Sequence, residues 1–87
     1  MRRIGQRFVY ILQSDTDPNR HYTGVTADVE TRLEWHNHGP QGNTVHYRPW
    51  SLLVVLEFPA EAPARRFERY LKSDSGRAFA KRHFTRE

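Results

Sequence analysis

Phe8-Val9-Tyr10-Ile11-Leu12 and His21-Tyr22-Thr23-Gly24-Val25-Thr26, parted by Ser14-Asp15-Thr16-Asp17-Pro18-Asn19, decide the fold. The first run is β-branched and aromatic, the middle one is made of turn formers, and the last is short and β-prone. A strand, a loop and a second strand pair most simply as an antiparallel hairpin. Tyr10 and Tyr22 then sit on neighbouring strands. Because side chains alternate along a strand, Tyr10 shares a face with Phe8 and Leu12, and Tyr22 with Gly24.

Beyond the hairpin the period changes. Val29, Leu33 and His36 recur at helical spacing, Thr26 or Asp28 offers an N-cap oxygen, and His38-Gly39-Pro40 stops the helix. Gln41 to Trp50 contains Gly42, Asn43 and Pro49 without any period, and reads as an exposed loop of the kind that often carries function. Leu52-Leu53-Val54-Val55-Leu56 is apolar on both faces, which predicts a central strand covered by helices on each side. Pro59 closes that strand, and Pro63 suits the first turn of a helix whose inner face is Ala64, Phe67 and Leu71, with Tyr70 beside it. Ser73-Asp74-Ser75-Gly76 breaks the pattern, and Ser73 or Ser75 caps a last helix from about Arg77 to Phe84, anchored by Phe79 and Phe84. The order strand, strand, helix, strand, helix, helix predicts an α/β fold with a small three-stranded antiparallel sheet flanked by helices, in a single domain over residues 1–87.

With 87 residues, 37% of them hydrophobic and 13% aromatic, the chain can bury one modest core and is too apolar to be a disordered polymer. The absence of cysteine excludes a disulfide framework, a thiolate zinc site and a cysteine nucleophile, and a reducing compartment suffices. The apolar run Phe8 to Leu12 is too short for a signal peptide or a membrane span, so a cytoplasmic protein without a membrane partner is expected. Net charge is +4, and all of the excess lies in residues 61–87, which carry eight basic and four acidic side chains. Twelve of the fourteen basic residues are arginine, whose planar fork suits phosphate oxygens better than the point charge of lysine. A polyanionic partner follows, although a solvated helix face accounts for charge alone.

Arg32 and His36 lie four apart and project from one helix face. Taken singly, each candidate has an ordinary explanation: an arginine reaching solvent, a histidine at the core edge, strand tyrosines, and a Glu68 paired with Arg65 or Lys72. Taken together and in order, Val9-Tyr10, Tyr22-Thr23-Gly24, Arg32, His36 and a helical Glu68 resemble the GIY-YIG endonuclease superfamily. Phe8-Val9-Tyr10 and Tyr22-Thr23-Gly24 match its two tripeptides, with Phe8 in place of glycine and Thr23 in place of isoleucine. Arg48-Pro49-Trp50 resembles the family's stretch leading into its third strand, while Glu68 with Leu71-Lys72 and Ser75-Gly76-Arg77-Ala78-Phe79 are similar to the small stand-alone bacterial branch, from which Asp74 departs at a position usually glycine.

The resemblance implies divalent-metal-dependent hydrolysis of DNA phosphodiester bonds, structure-preferring or weakly sequence-specific, in repair or recombination. A targeting protein partner fits the lack of a second DNA-binding unit. Tyr10, Tyr22, Arg32, His36 and Glu68 are the expected catalytic set. Glu68 would hold one Mg²⁺ or Mn²⁺, ions that need only one or two protein carboxylates. Arg32 would hold the scissile phosphate and stabilise its transition state. Tyr10 is the first choice to take the water proton and Tyr22 to orient that water, with the roles open to exchange; tyrosine titrates near 10, so a cation must lower it. Gly24 would let the backbone approach phosphate, and Arg48, Arg65, Arg69, Lys72, Arg77 and Lys81 would contact nucleic acid. Trp35 and Trp50 are candidates for base stacking, with core packing the default. His38 and His46 lack the further spaced ligands of a zinc centre. Two other function classes stay open: a non-catalytic nucleic-acid-binding module, which has no need of Glu68, and an adaptor that docks an acidic protein.

Overall fold

Strand β1 (Arg7–Ser14) is paired on both sides, antiparallel to β2 (His21–Thr26) and to β3 (Trp50–Phe58), giving the sheet order β2-β1-β3. The computed structural model describes residues 4–40 and 44–86; Gln41, Gly42 and Asn43 of the expected loop lie outside the described residues. The other elements are helix α1 (Val29–His38), a single 3₁₀ turn (Val45–Tyr47), and helices α2 (Glu61–Leu71) and α3 (Asp74–His83). The three-stranded antiparallel sheet with flanking helices is the architecture that the sequence predicts.

The hairpin turn is organised by Ser14, which is buried at the end of β1. Its hydroxyl accepts the amides of Thr16 (3.2 Å) and Asp17 (3.0 Å) and donates to the Tyr47 carbonyl (2.7 Å). Helix α1 begins where expected: the Asp28 side chain accepts from the Thr31 amide at 3.2 Å, and the helix closes with the Gly39 amide on the Trp35 carbonyl at 2.7 Å.

Alternation along β1 separates two interiors. Val9 and Ile11 join Ala64 and Leu71 of α2, with Phe67, Phe79 and Phe84 packed around them. Tyr10 and Leu12 look the other way, toward Trp50, Tyr22, Tyr47 and Leu33 of α1. One helix thus covers one face and two helices cover the other.

Two expectations are corrected. The apolar run Leu52 to Leu56 belongs to an edge strand, not a central one, because β1 takes the middle. The register steps from Ile11 opposite Val54 to Leu12 opposite Leu52, so Leu53 is an extra residue in the ladder. That bulge resets the pleat and lets both Leu53 and Val54 pack beneath the sheet, while Leu52 and Val55 stay 39% and 36% exposed on the other face. A continuous apolar run thereby mimics two-sided burial. Helix α3 starts at Asp74 rather than near Arg77, since Ser73 caps it by accepting the Gly76 amide at 3.1 Å. Gly76 is buried there, and since a Cβ would overlap the Tyr70 carbonyl, only glycine allows this close crossing of α2 and α3. Among the described residues, no helix is long and apolar enough to cross a membrane.

Candidate active site

Tyr10 lies opposite Gly24, and Leu12 opposite Tyr22, in the β1–β2 ladder. The two tyrosines therefore share a face and meet diagonally, with ring centroids 6.2 Å apart. The Tyr10 ring extends across Gly24: a Cβ at residue 24 would stand 2.7 Å from the Tyr10 hydroxyl oxygen. Gly24 is buried, and the absence of a side chain there makes room for this ring.

Above the tyrosines, α1 supplies His36, which is 1% exposed. Its Nε2 is 3.0 Å from the Tyr10 hydroxyl and its Nδ1 is 3.0 Å from the Thr44 hydroxyl. Its ring centroid is 4.5 Å from that of Tyr22. Burial, aided by the positive charges of Arg32 and Arg48, pulls the His36 pKa down from 6.5 to about 4, so the imidazole is neutral at pH 7. For Tyr10, burial raises the pKa above its ordinary 10; hydrogen bonding and charge from Arg32 oppose the rise, and the charges of Tyr22 and Glu68 add to it. Tyr10 is a neutral phenol, 1% exposed.

Arg32 comes one helical turn before His36, which brings its guanidinium beside both Tyr10 and His36. The same guanidinium lies over the Trp35 ring, 5.0 Å from its centroid. Its Nε is buried without a hydrogen-bond partner among the described residues. A buried charged donor left unpaired is costly, and an anion entering here would satisfy it.

Glu68 belongs to the opposite layer, on α2, with a side chain 13% exposed. Its carboxylate pairs with Lys72 at 3.1 Å and Arg65 at 3.8 Å, and it is among the charges that act on Tyr10. Of the basic residues expected at nucleic acid, Arg65 and Lys72 thus flank Glu68, and Arg77 stands 4.0 Å from Asp74. Arg69 and Lys81 are exposed on α2 and α3. Arg48 has another occupation: its Nε donates to the His36 carbonyl at 2.6 Å and an Nη to the Gly39 carbonyl at 2.5 Å, closing the C-terminal end of α1. Trp50 is core, 4% exposed, and donates its indole N–H to the Thr44 carbonyl at 2.8 Å; Trp35 is 37% exposed.

Two polar residues of this region carry no periodic signal in the sequence. Thr44 is 3% exposed beneath His36. Asn37 pairs with the backbone of Trp50 in both senses, accepting its amide at 2.6 Å and donating to its carbonyl at 3.0 Å.

The GIY-YIG catalytic domain family matches this chain over residues 6–83. The chain belongs to that family. The GIY-YIG domain is also similar to structure-specific endonuclease subunit SLX1 of Scheffersomyces stipitis, 39% identical over 67 residues covering 69% of this chain and 20% of that protein. The corresponding subunit of Meyerozyma guilliermondii is 37% identical over 70 residues, covering 74% and 24%. The chain thus spans about a fifth to a quarter of the length of these relatives. Among solved structures, a UPF0213 protein of Bacillus halodurans superposes with a TM-score of 0.53 at 28% identity, covering 87% of this chain and 80% of the other.

Proposed function

We propose that this GIY-YIG domain is a divalent-metal-dependent endonuclease that hydrolyses DNA phosphodiester bonds, with a preference for branched or otherwise irregular DNA. The observation that carries the reading is the unpartnered, buried Nε of Arg32 beside the Tyr10–His36 pair. A scissile phosphate supplies the anion that this donor lacks, and the extra negative charge of the transition state strengthens the same contact. The names of the fungal relatives favour a structure-specific substrate and, since those proteins are called subunits, a protein partner that supplies targeting.

In this reading neutral His36 accepts the Tyr10 hydroxyl, and Tyr10 in turn presents its oxygen to the Arg32 fork. Tyr22, half-buried on the outer strand beside His36, is the more exposed of the two tyrosines and takes over from Tyr10 as the group that receives the proton of the attacking water, once its own phenol proton has passed to bulk water. The donor set fits a hard cation. Among the described residues no three His, Cys, Asp or Glu side chains cluster, and both nitrogens of His36 are occupied. Glu68 alone would hold Mg²⁺ or Mn²⁺, with water and phosphate oxygens filling the other positions. When bound, such an ion supplies positive charge to the oxygens around phosphorus.

The pairing of Glu68 with Lys72 and Arg65 favours the second reading, a nucleic-acid-binding module without catalysis. Cleavage of branched and linear duplex DNA with Mg²⁺ and Mn²⁺, wild type beside Glu68→Gln, separates the two. The endonuclease reading expects cleavage to fall on the order of a thousandfold, the several kcal/mol that a metal supplies to a transition state. DNA affinity should hold or rise, since removing a negative charge does not weaken phosphate attraction. Equal cleavage by the two proteins would remove Glu68 from the metal, and cleavage by neither would leave the binding module as the better account.

A further inference from the structure

We propose that Thr44 is a positioning residue of this site: its hydroxyl takes the Nδ1–H of His36 and so fixes the imidazole in the tautomer whose bare Nε2 accepts the Tyr10 hydroxyl. The proposal rests on the reading of Arg32 as the phosphate clamp. It extends that clamp inward through three hydrogen bonds, by way of Tyr10 and His36, to a residue that touches neither substrate nor metal.

The argument is a count of donors and acceptors. A guanidinium has only donors, so Arg32 beside the Tyr10 oxygen can do nothing but donate to it. Tyr10 is a neutral phenol with one proton, and His36 Nε2, at 3.0 Å, is its hydrogen-bonding partner able to accept that proton. Nε2 is therefore bare. A neutral imidazole with a bare Nε2 carries its proton on Nδ1, and Nδ1 faces the Thr44 hydroxyl at 3.0 Å. Thr44 must then accept.

Thr44 is itself held in place. It is 3% exposed, and its carbonyl receives the Trp50 indole N–H at 2.8 Å and the Tyr47 amide at 3.2 Å. The hydroxyl thus stands at a fixed point below the ring. With it in place, one direction of hydrogen bonding runs along the whole chain: Nδ1–H to Thr44, Tyr10 O–H to Nε2, and Arg32 to the Tyr10 oxygen. Reversal at Thr44 would place a proton on Nε2, and Tyr10 would then face two donors, one from His36 and one from Arg32, with no acceptor for its own proton. That unmet proton would disturb the Tyr10 oxygen on which the Arg32 fork rests.

Nitrogen-15 NMR of the histidine side chains in the full chain at pH 7 reads the tautomer directly. The expected wild-type result is His36 protonated on Nδ1 and bare on Nε2. Thr44→Val keeps the shape and removes the acceptor; it should shift His36 toward the Nε2–H form and lower kcat for DNA cleavage about tenfold, as loss of an outer hydrogen-bond partner does at other sites. KM should change little, and Thr44→Ser should restore both the tautomer and the rate. A wild-type spectrum with the proton on Nε2 would overturn the proposal, and so would a Thr44→Val protein with an unchanged spectrum and rate. If the valine variant does not fold, the wild-type spectrum and the serine variant still decide. A wild type that shows the Nδ1–H form but cleaves no DNA would support the role of Thr44 and remove the endonuclease reading instead.

Discussion

The two faces of β1 are built on different principles although they are one residue apart. Below, Val9 and Ile11 meet aliphatic side chains and a set of phenylalanine rings, among them Phe67 and Phe79 with centroids 6.4 Å apart and perpendicular planes. Nothing there needs a partner, and shape alone holds it. Above, Tyr10, Trp50 and His36 are just as buried, yet each brings a polar atom that must be answered: Tyr10 by His36, His36 by Thr44, Trp50 by the Thr44 carbonyl. The lower face supplies stability, and the upper face supplies direction. Among the described residues the polar atom left unanswered there is the Arg32 Nε, which the proposed reading reserves for a phosphate.

The contrast breaks most visibly by truncation below. Ile11→Ala should cost about 3 kcal/mol of stability from the cavity it leaves. In a domain this small the loss lowers Tm by roughly 10–25 °C. Cleavage per folded molecule should stay as in the wild type; a matching fall in kcat would mean that the two faces are not separable.

A comparable effect above needs only acid. His36 has a folded pKa near 4, below its ordinary 6.5, so between these values the unfolded chain binds a proton that the native one refuses. The resulting stability is fully present above about pH 6.5 and is lost as pH falls toward 4, on the order of 3 kcal/mol in all. Unfolding midpoints measured across that window should fall more steeply for the wild type than for His36→Asn. Parallel slopes would show that His36 is not held neutral by the fold.

The smallest effect sharpens the picture at a single atom. Gly24→Ala puts a methyl against the Tyr10 ring, an overpacking worth about 1–3 kcal/mol. Calorimetry should show that loss, and cleavage should fall with it because the Tyr10 hydroxyl is displaced from His36. An unchanged Tm would mean that the ring yields freely, and that Tyr10 is less fixed than its neighbours make it.

Much of this was legible beforehand because it follows from period and punctuation. The hairpin, α1 with its cap at one of two candidate residues, Thr26 or Asp28, and the shared face of Tyr10 and Tyr22 are consequences of alternation and spacing. The place of β3 was not, since a bulge at Leu53 erases the alternation that distinguishes an edge strand from a middle one. The start of α3 was hidden by Gly76, which reads as a breaker until the Tyr70 carbonyl beside it is seen. Arg48 reads as one more basic residue near a phosphate, and only the nearby helix end reveals its other use. Thr44 and Asn37 are polar residues whose partners lie 8 and 13 positions away, distances at which spacing carries no information.

The attachment of α1 to the start of β3 has a consequence for motion. A helix ordinarily frays from its C-terminal end, where the last carbonyls face water. Here Arg48 holds those of His36 and Gly39, while Asn37 is hydrogen-bonded to Trp50 as a neighbouring strand would be. The last turn of α1 and the first residues of β3 therefore form one cooperative unit, and their amides should exchange with deuterium together. The last turn of the helix that carries Arg32 and His36 is then expected to open together with the start of β3 rather than residue by residue.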